Sequence, residues 1–234
     1  MNHDNVYSDL IISIRPSIDT NDYEVRFVAD GIDLIDRYWP DMIGLDPDDL
    51  LLEPCPLRIS ETPHDATIAR CNCGVVGCGS VEVAVSLDNN SALWRSPSGV
   101  PNIWIAKDAY ATEVERAVND FSWETPDRTA ARLIRNAVDR AALSVYSLRF
   151  DWASGRIRPD AMTISLTVEA GPQQVLLHIP WDTNSTSAEA VAAECLIALA
   201  EPPKQWADVR VNGKRGAPLP SIAGPGWPRR HRIL

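Results

Sequence analysis

The chain reads as an α+β protein, mainly antiparallel sheet with three principal helices. Three observations point there. Residues 1–105 repeat the period-two alternation of half-buried strands, most cleanly in Ser80-Val-Glu-Val-Ala-Val-Ser-Leu87. Asp30-Gly31 and Asp88-Asn-Asn90 set hairpin turn signals between such runs. After residue 106 the apolar spacing switches to that of a helix.

Element by element, Asp9 to Arg15 is a short β-rich run closed by Pro16. Tyr23 to Ala29 alternates and meets Asp30-Gly31, so Ile32 to Tyr38 is expected to return as a partner strand. Asp46 before Pro47 reads as an N-cap and a first helical position. Ala66 to Cys73, Ser80 to Leu87, Ser91 to Arg95 and Asn102 to Ile105 read as an antiparallel meander with one buried face.

Tyr110, Val114, Ala117, Val118 and Phe121 share one helix face. Thr125-Pro126 starts a second helix, whose apolar positions continue from Ala130 through Ala141 to Val145. Met162 to Val168 and Gln174 to Trp181 form a strand pair across Ala170-Gly171-Pro172. Thr186-x-x-Glu189 is a capping box opening a third helix through Leu199, which Pro202-Pro203 stops. Val209 to Val211 reads as one last strand, and the residues beyond it as irregular. The organisation is therefore a β-rich lobe at 1–105, a helical pair with hairpin and final helix at 106–203, and a basic Pro/Gly-rich segment at 204–234. The two lobes are either separate or one domain.

The 234 residues are 45% hydrophobic and 23% charged, which excludes collagen-like, coiled-coil and wholly disordered chains. No apolar run approaches the roughly 18 residues of a membrane span. No basic or apolar leader follows Met1, so a cytoplasmic address and no membrane partner are expected.

Net charge is −10. Residues 1–60 hold 13 acids against 4 bases, and residues 204–234 hold 1 acid against 7 bases. An acidic body disfavours direct nucleic-acid binding and favours a basic protein partner. Acidity also serves solubility alone. Contact candidates for such a partner are Asp30, Asp33, Asp36, Asp41, Asp46, Asp48, Asp49 and Glu53. The tail stretch Arg229-Arg-His-Arg232 would touch nucleic acid or fold back on the acidic body.

Five cysteines and no leader argue against a disulfide framework. Three of them form Cys71-Asn-Cys73-Gly-Val-Val-Gly77-Cys78, the most distinctive pattern in the chain. Thiolates bind zinc, and a turn containing glycines can aim three at one ion, with Cys55 or His64 as a fourth ligand. No motif demands a cofactor, and zinc is the ion this cluster would take. The same spacing also places two small apolar side chains on one strand face, with Gly74, Gly77 and Gly79 making the turn. A reactive thiol would need nearby positive charge, and Arg70 points to the opposite face from Cys71. Cys195 lies on the apolar face of the last helix.

His3, His64, His178 and His231 are scattered, and none adjoins a nucleophile motif. Glu113 has Arg116 three residues on, which explains it as a local ion pair. Of the eight tryptophans, Trp206 and Trp227 are placed to dock the tail or a partner. No catalytic set is complete.

The cysteine turn, the strand that follows it to Leu93-Trp94, the Tyr110 helix and Phe121-Ser-Trp123-Glu124 resemble an uncharacterised bacterial protein family with a Cys-x-Cys-Gly-x-x-Gly-Cys turn. The resemblance spans residues 23–125 and transfers no residue role. Small acidic bacterial proteins of this kind resemble immunity proteins, which neutralise a toxin by binding it. The expected function is thus an acidic, cytoplasmic, immunity-type binding protein, with an enzyme whose site is assembled from scattered residues left open as a further class. The alternative is a zinc- or thiol-dependent protein centred on Cys71, Cys73 and Cys78.

Overall fold

The computed structural model describes residues 5–17, 22–73, 78–96, 100–169, 171, 173–214 and 218–227. Gly74, Gly77, His3, His231 and the Arg229–Arg232 stretch lie outside them. The chain is α+β and falls into two compact units, 1–123 and 124–234. The division follows Trp123, not residue 105, because the first long helix shares the first unit's core through Tyr110, Val114 and Ala117.

The first unit carries a six-stranded sheet in the order β1-β9-β8-β7-β6-β5 and a three-stranded sheet β2-β3-β4. Its strands are β1 (Asn5–Tyr7), β2 (Ile11–Pro16), β3 (Tyr23–Ala29), β4 (Ile32–Asp33), β5 (Met42–Gly44), β6 (His64–Cys71), β7 (Ser80–Asp88), β8 (Ser91–Arg95) and β9 (Ile103–Ala106). From β5 to β9 the large sheet is antiparallel, and β1 adds to β9 in parallel. The alternation in β7 buries Val81, Val83 and Val85. Asp30 (φ 46) and Gly31 (φ 79) both take the left-handed conformation that a tight hairpin needs.

The expected return strand over Ile32 to Tyr38 is a correction. It pairs for two residues and then becomes α1 (Leu34–Tyr38). The Asp33 carboxylate accepts from Ile35 N and Asp36 N, so a capped helix outcompetes the ladder. Asp46 caps α2 (Pro47–Leu50), accepting from Asp48 N. The helix α3 (Lys107–Val118) covers the core, where Trp94 donates to the Tyr110 hydroxyl and Tyr110 donates to Leu57 O. Glu113 does pair with Arg116 at 2.7 Å, yet both also reach β2: Glu113 accepts from Ile12 N and Arg116 donates to Ile12 O. The helix thereby satisfies backbone groups of that strand.

In the second unit, α4 (Pro126–Ala137) and α6 (Ala188–Ala200) pack together, with α5 (Arg140–Ser144) after α4. They cover one face of a four-stranded antiparallel sheet: β10 (Leu148–Arg158), β11 (Ala161–Val168), β12 (Gln173–Pro180) and β13 (Val209–Asn212). The helix expected to run on to Val145 breaks at Val138, which is extended, and Asp139 caps α5 by accepting from Ala142 N. Val145 is left exposed. The cap of α6 is Ser187, accepting from Ala190 N, one residue later than the expected box. Thr186 instead presents its carbonyl to the Trp181 indole.

Residues 218–227 are not a loose tail. Leu219, Ile222 and Ala223 pack on the second unit's core, and Trp227 is 3% exposed. Its ring stacks on Trp206 at 6.1 Å and donates to Pro203 O. Both tryptophans dock this segment onto its own unit.

Candidate metal centre

The three cysteines meet at the mouth of the β6–β7 hairpin. Cys71 ends β6, Cys73 sits in the turn, and Cys78 precedes β7. The hairpin is closed by Cys71 N donating to Gly79 O at 3.0 Å. Hairpin closure, not strand alternation, brings the sulfurs together. All three lie within 4.8 Å of one another, and Cys71 and Cys73 Sγ are 2.7 Å apart. Cys71 is half-buried, while Cys73 and Cys78 are exposed. With zinc–sulfur bonds near 2.3 Å, tetrahedral thiolates stand about 3.8 Å apart, a span within this cluster's reach.

The electrostatics suit a cation better than a nucleophile. The Cys78 thiol is pushed up to about 11, chiefly by hydrogen bonds with Cys73 and Cys71 and then by repulsion between the sulfurs. An activated thiol would move the other way. The Cys78 thiol so crowded keeps its proton until a positive ion compensates the charge.

The two expected fourth ligands are elsewhere. Cys55 is buried in the first unit's core, with its thiol pushed up by desolvation. His64 Nε2 lies 2.9 Å from Pro56 O and Nδ1 lies 3.4 Å from Ser60 Oγ. Neither belongs to the sulfur group found among the described residues. Cys195 is buried on α6, as its helix position implied.

The acidic contact candidates mostly have internal work. Asp30 accepts from Ser8 N, Ser8 Oγ and Asp9 N. Asp33 and Asp36 hold Arg26, which is 2% exposed and also lies 3.7 Å from buried Glu24. Asp46 is a helix cap, with Asp48 and Asp49 in the turn it opens. Glu53 pairs with Arg58. Asp41 is exposed. The cap at Asp46 is legible beside Pro47; the roles of Asp30, Asp33 and Asp36 are hidden because a cap, a turn anchor and a surface charge are written with the same residues.

The second unit has a cleft of about 460 Å³ lined by Tyr146, Val168, Gln173, Lys214, Leu219 and Ile222 among others. It contains none of the residues singled out from sequence. His178 is buried on β12, beside Thr163 Oγ1 at 3.0 Å, and desolvation lowers its pKa. Among the described residues, no helix is long and apolar enough to cross a membrane. Comparison with protein-family models, with curated proteins and with solved structures found no match to this chain.

Proposed function

We propose that this is a metal-binding protein whose first unit holds a soft ion on the thiolates of Cys71, Cys73 and Cys78, zinc being the first metal to test. One observation carries the reading: three sulfurs converge within 4.8 Å at a single hairpin mouth. Two of the three are exposed, so an ion has a path in. The thiol protons leave to solvent as the ion binds. The test is elemental analysis of full-length protein purified with reduced thiols. One soft metal ion per chain is expected, lost in Cys73→Ser and kept in Cys195→Ser. Folded, metal-free protein whose three thiols all titrate readily after incubation with zinc or copper(I) would overturn it.

A second reading rests on charge. Residues 1–123 hold 21 acids against 8 bases, a net of −13, and residues 124–234 hold 11 against 14, a net of +3. A first unit so acidic favours a basic protein partner, and an immunity-type protein that neutralises a toxin fits that chemistry. Salt-sensitive, micromolar binding to a basic toxin encoded beside it supports this reading. No binding at those concentrations removes it.

A further inference from the structure

The thiolate cluster has a neighbour that no cysteine spacing reveals. Met42 lies on β5, the edge strand of the large sheet, directly opposite Cys71 in the antiparallel register. Directly opposed residues share a sheet face, with Cβ atoms about 4.5–5.5 Å apart. Gly79 supplies an independent measure of their proximity. A Cβ placed on Gly79 would be 3.7 Å from Cys71 Cβ and 3.7 Å from Met42 Cε. The end of the Met42 side chain and the root of the Cys71 thiol therefore converge over the glycine just after Cys78. Met42 is only half-buried, and its unbranched side chain can turn its sulfur without moving the backbone.

We propose that the Met42 thioether is the fourth ligand of this centre, making it a four-sulfur site that prefers monovalent copper to zinc. This rests on the thiolate reading above. A thioether is neutral and soft. It adds little to a zinc ion, which prefers thiolate, imidazole and carboxylate, and more to a soft copper ion. The other role open to Met42 is packing, since it also touches the first unit's apolar cluster.

The test uses the full-length reduced protein under anaerobic conditions. Copper(I) is competed against a colorimetric chelator, and zinc(II) against a second one. Met42→Leu keeps volume and apolar character and removes only the sulfur. It is expected to weaken copper(I) by about tenfold or more, the scale of a lost coordination-sphere partner, and zinc(II) by less than about threefold. Cys73→Ser is expected to lose both metals. X-ray absorption at the copper edge should count four sulfur neighbours in the wild type, which answers the question even if Met42→Leu folds poorly. Wild-type copper affinity in Met42→Leu, or three sulfurs and no fourth in the wild type, overturns the role of Met42. Failure of the wild type to bind either metal overturns the thiolate reading itself.

Discussion

Trp227 offers a sharp test of whether the C-terminal segment is core. Its indole is 3% exposed, stacks at 12° on Trp206, and donates to Pro203 O at 3.1 Å. Trp227→Ala removes all of this. Large aromatic-to-alanine changes in cores cost about 3–5 kcal/mol. Within that sum, the aromatic pair accounts for about 0.5–1.5 kcal/mol beyond its burial and the hydrogen bond for about 1 kcal/mol. Trp227→Phe keeps a stacked ring and loses the N–H, so it should cost only about 1–2 kcal/mol, the rest staying with the apolar contacts. The assay is urea unfolding of the full chain, with hydrogen exchange reading α6 and β13 separately from the first unit. The alanine variant should lose several times more stability than the phenylalanine variant, with faster exchange confined to the second unit. A change under about 1 kcal/mol in Trp227→Ala would refute the claim that this segment completes the core.

Buried polar groups give three further outcomes. Tyr110→Phe deletes one hydroxyl but strands Leu57 O and Trp94 N–H in the first unit's interior, so a loss of about 2–4 kcal/mol is expected in urea unfolding. Arg26→Met takes the buried cation away from Asp33 and Asp36, while Arg15 still holds Glu24 at 2.8 Å, and should cost about 3 kcal/mol in urea unfolding. His178 has a folded pKa below its unfolded value near 6.5, so its neutral form is favoured in the fold. The associated stability is present above pH 6.5 and drains as pH falls toward the folded pKa. Unfolding free energies measured from pH 7.5 downward should flatten over that interval in His178→Gln, and an unchanged slope would exclude His178 as the cause.

What the sequence disclosed was whatever depends on neighbours along the chain. The β7–β8 hairpin follows from clean alternation around Asp88-Asn-Asn90, and the face of α6 from the spacing of Val191, Cys195 and Leu199. Competition between local options was harder to see. Asp33 and Asp139 each divert the chain into a short capped helix where periodicity alone continues a strand or a helix. The strand β10, which no sequence signal had marked, carries charges, Gly155 and register shifts that mask its alternation. The candidate centre divides the same way. Cys71, Cys73 and Cys78 stand out locally, whereas Met42 reaches them only through the β5–β6 register, a long-range pairing with no local mark. Trp206 and Trp227 read as docking the tail or a partner, and both are buried in their own unit.

The parallel pairing of β1 with β9 sets an order of events during synthesis. Ile103 leaves the ribosome on the order of 100 residues after its partner Asn5, about 5–20 s at ordinary elongation rates. Through that interval β1 waits for the strand it pairs with, and the first unit stays incomplete until β9 arrives. Slowing elongation ahead of residue 103 lengthens the exposure of unpaired β1. The second unit, whose four strands and three helices all lie within residues 126–212, carries no such waiting period across the chain.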